Sequence, residues 1–224
     1  KLNLLEQKPA NLFTAKGAFA QNMWNLSYAM RSRSGFIYDL VAALDAAKEG
    51  GEVAVIQPEF SQFARPDQLA AFKKYNMVPS FFTNHTYFWG DVHVKNLGKK
   101  RADFSSPIAT ADRMGLRYTN HSDDTVTPVD PLFTVWSAVN RTSRSGKIIG
   151  KNERATPYQA LKAITSNAAY EYFEEDSKGT LSPGKLADFV ILDQNPMTVP
   201  SNQIKNIKVL ATFKEGKEVF HAGN

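Results

Sequence analysis

The sequence predicts an α/β fold in which apolar strands alternate with helices, followed by a terminal set of antiparallel strands. Short apolar segments lie at 53–56, 78–82 and 116–119, and each is followed by a segment with helical spacing of its apolar residues. Strands that are apolar throughout are typical of parallel βα units whose two faces are both covered. We therefore expect these three segments to be neighbouring parallel strands.

Helix start and stop signals accompany this alternation. Ser105 or Ser106 can cap one helix that Gly115 ends, and Thr156 with Pro157 can begin another. The predicted helices cover 36–48, 65–75, 106–114, 131–140 and 158–165. 

Between the strand at 78–82 and the helix at 106–114 lies a long connection, 83–105. We predict it to be a loop, and loops of this length in compact domains are usually functional or disordered. Because its segment NHTYFWGDVH carries two histidines, three aromatic residues and an aspartate, function is favoured over disorder.

The pattern changes near residue 178. Segments 186–192, 207–214 and 217–220 read as strands, and Glu215-Gly216 predicts a tight hairpin between the last two. We therefore divide the chain into a partial α/β domain, 1–177, and the strands of a small β-domain, 178–224.

Composition excludes several classes of protein. Without cysteine there are no disulfides, thiolate metal ligands or cysteine nucleophiles. No apolar run reaches the roughly 18 residues of a membrane span. The net charge of +5 is scattered rather than gathered in a stripe, which disfavours nucleic-acid binding. We expect a cytoplasmic protein, with a periplasmic location left open.

The candidate functional residues follow two consecutive strands. His85 and His93 come after the segment 78–82, and His121 and Asp123 come after 116–119. The carboxyl ends of parallel barrel strands face one mouth, so these groups are expected to converge. Imidazole and carboxylate suit Zn²⁺ or a similar divalent ion. The alternative is that the histidines form ordinary loop hydrogen bonds and that Asp123 belongs to a turn.

Three motifs resemble amidohydrolase family 3, the group that includes N-substituted formamide deformylase-like proteins. In chain order they are ARPDQLAAFKKYNMVPSFFTNHTYFWGDVH, GLRYTNHSDDTVTPVDPLFTVWSAVNRTSRSG and TPYQALKAITSNAAYEYFEEDSKGTLSPGKLADFVILDQNP. Together they extend over more than two thirds of the chain, from about Phe60 to Phe220.

The resemblance implies the C-terminal part of a TIM-like (β/α)₈ barrel plus strands of a small flanking β-domain. It also implies that the protein hydrolyses a non-peptide C–N bond of a small amide through a water activated by a divalent metal, Zn²⁺ by preference. Asp123 would be both metal ligand and catalytic base, and the substrate would be bordered by His85, Trp89, Asp91, His93 and His121.

The sequence departs from the family where two metal ligands are expected. Phe60 stands at the position of the strand-six histidine, and MRSRSGF has no histidine where strand five would end. Three explanations stay open: an inactive binding protein or fragment that has lost its metal, a sequence error before about residue 60, or a metal-binding half on another chain or segment. We accordingly expect a homo-oligomer or a missing N-terminal half.

Overall fold

The computed structural model describes residues 61–223, so the predicted helix 36–48 and strand 53–56 lie outside the described residues. Short 3₁₀ turns cover Ser61–Phe63, Lys151–Glu153 and Ser201–Asn206. In chain order the helices and strands are α1 Pro66–Lys74, β1 Ser80–Phe81, α2 Asn84–Leu97, α3 Lys99–Asp103, α4 Ile108–Arg113, β2 Thr119–Asn120, α5 Pro131–Asn140, α6 Pro157–Ile164, α7 Ser166–Glu171, β3 Phe189–Leu192, β4 Val209–Lys214 and β5 Lys217–His221.

β1 and β2 are neighbouring parallel strands, as predicted. Ser80 pairs with Thr119 and Phe81 with Asn120, and the chain between the two strands passes through α2, α3 and α4. Side chains alternate between the two faces of a strand. Phe81 is fully buried in the main hydrophobic core. On the other face, the Thr119 hydroxyl donates to Ser80 Oγ at 2.9 Å. The hydroxyl pair of Ser80 and Thr119 therefore lies on the face of the strand pair opposite Phe81.

The prediction of a long loop at 83–105 is wrong, because this segment forms α2 and α3. Gly98, in the left-handed region at φ 77°, ends α2 and precedes α3. The glycine inside α2, Gly90, marks a close approach: a Cβ there would lie 3.0 Å from Ile149 Cγ1. The candidate residues His85 to His93 thus lie on a helix rather than a mobile connection.

The helix predicted at 106–114 is shorter and has a different cap. α4 begins at Ile108, and no side chain caps it. The Ser106 hydroxyl instead accepts the backbone N–H of Phe82 at 3.2 Å. The expected capping group is therefore used to hold the chain directly after β1. Gly115, at φ 64°, turns the chain beyond the end of α4 as predicted.

Side chains cap both α5 and α6, and the cap of α6 is Thr156, as predicted. Asp130 Oδ1 accepts the N–H of Phe133 at 2.9 Å. Thr156 and Gln159 form a capping box, in which Gln159 N–H donates to Thr156 Oγ1 at 3.2 Å and Thr156 N–H to Gln159 Oε1 at 2.8 Å. Such caps satisfy backbone donors that a helix start leaves free.

A buried arginine organises the loop after α5. The guanidinium of Arg141 donates to the carbonyl oxygens of Ser105 and Ile149, at 2.7 Å each, and of Ser106 at 3.1 Å. Burial lowers the pKa of Arg141 to about 10, which still leaves it protonated at neutral pH. Gly150 lies so close that a Cβ would stand 1.9 Å from the carbonyl oxygen of Asp103.

The terminal strands form their own sheet, as predicted. β4 pairs antiparallel with both β3 and β5, and none of the three joins β1 or β2. Glu215 and Gly216, both at positive φ, make the tight turn between β4 and β5. The domain boundary near residue 178 stays a prediction. Among residues 61–223, no helix is long and apolar enough to cross a membrane.

Candidate active site

A buried hydrogen-bond network fixes the chain where β1 leads into α2. Thr83 N–H donates to Asn120 Oδ1 at 3.1 Å, which joins the ends of the two parallel strands. Asn84 donates to Thr127 Oγ1 at 3.1 Å and accepts from the Ser137 hydroxyl at 2.8 Å. Because buried polar groups that are fully paired hold one geometry, the start of α2 has a defined position relative to α5.

The same network reaches the loop that carries Asp123. The Thr127 hydroxyl donates to the carbonyl oxygen of Ser122. The carbonyl oxygen of Asp123 accepts the N–H of Val126 at 2.6 Å and that of Thr127 at 3.3 Å. Asp123 itself has φ 49°, a left-handed conformation that aspartate tolerates better than most residues. The position of Asp123 is therefore fixed by several backbone contacts.

The three candidate histidines pack against aromatic rings and against one another. The ring of Phe82 lies 4.0 Å from that of His85 and 4.6 Å from that of His121, between centroids. The ring of His93 lies 5.7 Å from that of His85. Residues that follow the two strands thus come together at Phe82, whose ring packs against both His85 and His121. His93, on α2 like His85, lies beside the His85 ring.

Burial keeps these imidazoles neutral. Burial, together with the charges that His93 and His121 would carry, lowers the pKa of His85 to about 4. Burial also lowers the pKa of His93. For His121 burial again lowers the pKa, and the negative charge of Asp123 partly offsets the effect. At neutral pH each ring thus offers one N–H donor and one lone pair.

Asp123 and His121 line a cavity of about 340 Å³. Its wall on the strand side also includes Ser80 and Thr119, the hydroxyl pair on the face of β1 and β2 opposite Phe81. The geometry places a carboxylate and a hydrogen-bonding ring on the wall of one cavity.

Trp89 and Asp91 lie apart from this cavity wall. The Trp89 ring packs 4.5 Å from that of His85. Asp91 turns to the loop after α5, where its carboxylate accepts from the Ser145 hydroxyl at 2.7 Å and lies 3.7 Å from Lys147 Nζ. The Ser145 hydrogen bond holds the pKa of Asp91 below its usual value. Substrate contacts of Trp89, Asp91 and His93 stay predictions.

The donor types around the cavity suit zinc, but their number does not complete a site. Catalytic zinc usually has three protein ligands. Residues 61–223 contain no group of three or more histidine or acidic side chains placed to hold a metal. Within that same range, Nδ1 of His85 and Nδ1 of His93 are buried without a hydrogen-bond partner. Residues 61–223 therefore contain imidazole nitrogens that could bind a metal, but not the three ligands that a catalytic zinc site usually has.

Sequence reasoning did not single out three residues of this region. Phe82, at the centre of the imidazole stack, was read only as part of an apolar strand; alternation along the strand places it on the same face as Ser80. Glu171, the last residue of α7, and Tyr172 directly after it also line the cavity. No local signal marks them, because only the packing of α7 brings them to the strand ends.

Comparisons with known proteins agree with this fold. The amidohydrolase family model matches residues 35–220. N-substituted formamide deformylase of Arthrobacter pascens is 26% identical over 129 residues, 57% of this chain and 24% of the deformylase. Protein LONG AFTER FAR-RED 3 of Arabidopsis thaliana is 32% identical over 177 residues, 78% of this chain and 30% of that protein.

An uncharacterized metal-dependent hydrolase from Pyrococcus horikoshii OT3 has a similar structure, with a TM-score of 0.60 and 26% identity over 73% of this chain and 33% of that one. This likeness confirms the predicted fold class, a part of a TIM-like barrel with flanking strands. The chain spans between a quarter and a third of the length of these three proteins. Since the family match extends over most of the sequence, the chain belongs to the amidohydrolase family.

Proposed function

We propose that this chain carries the base-bearing part of an enzyme that hydrolyses a non-peptide C–N bond of a small amide. The observation that carries the proposal is the joint position of Asp123 and His121 in one cavity beside the parallel strands. The similarity to a formamide deformylase and to a metal-dependent hydrolase supports the same reaction class.

Asp123 is the proposed general base. A water molecule would attack the carbonyl carbon, and its proton would pass to the Asp123 carboxylate and then to the nitrogen as the C–N bond breaks. The products are a carboxylic acid and an amine. The position of Asp123 on the cavity wall supports this role, because a base must lie within hydrogen-bond reach of the proton that it accepts.

His121 is the proposed donor to the carbonyl oxygen, with His85 as the second candidate. Their lowered pKa values leave neutral rings, each of which can donate one hydrogen bond to the negative charge that develops on that oxygen. Both rings pack against Phe82.

A divalent metal, with Zn²⁺ the best match to imidazole and carboxylate donors, would lower the pKa of the attacking water. Asp123 is the one residue proposed as its ligand here. The remaining ligands would come from residues outside 61–223 or from another polypeptide. A second copy of this chain or an N-terminal half is therefore the partner that we propose.

The second candidate is an inactive relative that binds a small ligand without hydrolysing it. The observation that favours it is the incomplete ligand set in the described part of the chain, together with Phe60 at a position where the family has a histidine. The two candidates differ in metal content and in turnover, while the cavity is common to both.

The deciding experiment combines elemental analysis of the purified protein with amide hydrolysis by Asp123→Asn and Asp124→Asn. Asparagine at 123 keeps the shape of the side chain but cannot accept the proton, so a loss of about 10²- to 10⁴-fold in kcat is expected. Asp124 is exposed and does not line the cavity, which makes it the matched control. A metal-free protein with no turnover would favour the inactive relative.

A further inference from the structure

Three glycosylation triplets lie within residues 61–223, and the asparagine of each is buried. The triplets are Asn84-His85-Thr86, Asn120-His121-Ser122 and Asn140-Arg141-Thr142. An asparagine two residues before a serine or threonine is the acceptor of N-linked glycans, which are bulky and stand on the surface of a protein. Here the three asparagines are 0%, 6% and 8% exposed, in that order. The sequence pattern would place these side chains at the surface, whereas the fold buries them.

We propose that N-glycosylation of any one of these asparagines and the native fold exclude each other. The chain then reaches its fold in a compartment where the triplets are not glycosylated. That compartment is not the lumen of the endoplasmic reticulum, where glycans are attached to chains before they fold. The inference concerns the folding and location of the protein, and it holds whether or not the protein hydrolyses an amide.

The chemistry of the modification conflicts directly with the contacts of Asn84. The oligosaccharide leaves its lipid pyrophosphate carrier as the sugar–phosphate bond breaks, a bond to Nδ2 forms, and Nδ2 loses one of its two hydrogens. In Asn84 both hydrogens are in use, because Nδ2 donates to Thr127 Oγ1 at 3.1 Å and to Thr134 Oγ1 at 3.2 Å. A sugar here would remove one of these bonds and push the first residue of α2 away from α5.

Asn140, the last residue of α5, is held in the same way. Its Nδ2 donates to the carbonyl oxygen of Trp136 at 3.0 Å and to that of Ser201 at 2.8 Å. Its Oδ1 accepts from the Ser201 hydroxyl at 3.1 Å. The 3₁₀ turn Ser201–Asn206 is thus bonded to α5 through this amide, and a glycan on Nδ2 would separate the two.

Asn120 joins the ends of the two parallel strands. Its Nδ2 donates to Thr83 Oγ1 at 2.8 Å, and its Oδ1 accepts the Thr83 N–H at 3.1 Å. These bonds lie directly beyond the pairing of Asn120 with Phe81, the last pair between β1 and β2. A bulky group on this amide would therefore open the strand pair.

Residues outside 61–223 cannot relieve the conflict. Further chain that packs on this fold can cover the three asparagines more completely but cannot expose them. The hydrogen bonds of each asparagine also join partners that all lie within 61–223. A fourth triplet, Asn25-Leu26-Ser27, lies outside the described residues, so the test removes it with Ser27→Ala.

Expression of the full chain in a eukaryotic host, with and without a cleavable secretion signal, tests the inference. All versions carry Ser27→Ala. We expect the chain without the signal to fold, as circular dichroism and resistance to protease measure it. The chain with the signal should carry glycans on the three asparagines, located by mass spectrometry of its peptides, and should stay inside the cell in a protease-sensitive form.

A variant without the triplets shows whether the glycans cause this retention. Thr86→Val, Ser122→Ala and Thr142→Val together keep every asparagine and its amide hydrogen bonds but remove the three acceptor sites. With the signal, this variant should be secreted at least about tenfold more than the chain that keeps its triplets, because cells retain and degrade chains that do not fold.

An acceptor on the surface provides the matched control. Lys208→Thr places a threonine two residues after Asn206, and both positions are exposed at the end of the 3₁₀ turn. Added to the variant without the triplets, this substitution should give a glycan on Asn206 and leave secretion unchanged. A glycan at this position lies at the surface and displaces no buried contact.

The inference is overturned if the chain that keeps its triplets is secreted in native form, whether its three asparagines carry glycans or not. It is overturned as well if the variant without the triplets is retained to the same extent, since the glycans would then not be the cause.

Discussion

The Phe82 ring packs against two imidazoles, with its centroid 4.0 Å from that of His85 and 4.6 Å from that of His121. Its side chain is fully buried directly after β1. One ring therefore contacts imidazoles from two different parts of the chain, one from α2 and one from the segment directly after β2.

Phe82→Ala should lower the free energy of unfolding by about 3–5 kcal/mol, since it removes a fully buried ring. It should also shift the NMR signals of the His85 and His121 imidazoles. Phe63→Ala is the control, because Phe63 is 40% exposed and touches only the His93 ring of this cluster, 5.1 Å away. Equal losses for the two variants in chemical denaturation would contradict the central position of Phe82.

Acid should destabilise the protein through His85. Its pKa is lowered to about 4 in the folded chain, against an ordinary value of 6.5, so the unfolded state binds the proton more readily. The contribution of the neutral His85 ring to the free energy of unfolding is therefore fully present above pH 6.5. It is lost as the pH falls from 6.5 toward 4. His85→Gln should reduce this loss in denaturation curves measured between those values.

His221→Gln is the matched control for the acid experiment, because His221 is exposed on β5 and lies beside Glu218 rather than in the imidazole cluster. It should leave the acid limb of the stability curve as it is. A His85→Gln curve that runs parallel to the unmodified one from pH 6.5 to 4 would show that His85 does not cause the effect.

Arg141→Met should be strongly destabilising, by about 3–5 kcal/mol, because it leaves several buried carbonyl oxygens without their donor. Arg141→Lys should recover little, since one ammonium group cannot reach the oxygens that a planar guanidinium spans. Arg144→Met provides the comparison, as this neighbouring arginine is exposed and lies over the Phe88 ring at 4.8 Å. Thermal unfolding of the three variants distinguishes them.

Gly150→Ala and Gly146→Ala isolate the cost of one close approach. Both glycines have positive φ, 69° and 81°, so both substitutions pay a similar backbone penalty of about 1–2 kcal/mol. At Gly150 the new Cβ would also overlap the carbonyl oxygen of Asp103, whereas at Gly146 nothing lies within 4 Å. The Gly150→Ala protein should therefore be clearly less stable than the Gly146→Ala protein. Similar unfolding midpoints for the two would refute the close approach of Gly150 to the Asp103 carbonyl oxygen.

The parallel pairing of β1 and β2 could be predicted because both segments are apolar and each leads into a helix. Their exact limits could not, since a strand exists only where a partner is in register: the predicted 78–82 is Ser80–Phe81, and 116–119 is displaced to Thr119–Asn120. The start of α5 could be predicted from the sequence, because an aspartate followed by a proline is typical of the first residues of a helix.

α2 was missed because its sequence has weak helix propensity. Aromatic residues, β-branched residues and Gly90 all disfavour a helix in isolation. Packing against Ile149 and the network around Asn84 stabilise it in the fold. Of the candidate site, the meeting of His85 with His121 followed from strand order, whereas Tyr172 belongs to a helix end far along the chain and was invisible to local patterns.

The network that joins Asn84 to Ser137 and Thr134 has a consequence for sequence variation on α5. The hydroxyls of Ser137 and Thr134 lie on the side of α5 that faces the strand ends. On most helices this side carries apolar residues, and a replacement is acceptable when its volume fits. At these two positions a replacement must also supply the same hydrogen bonds. Replacement of Ser137 by alanine changes little in volume but would leave the buried Oδ1 of Asn84, the neighbour of His85, without the hydroxyl that donates to it. Sequence variation on α5 is therefore limited by a residue at the start of α2.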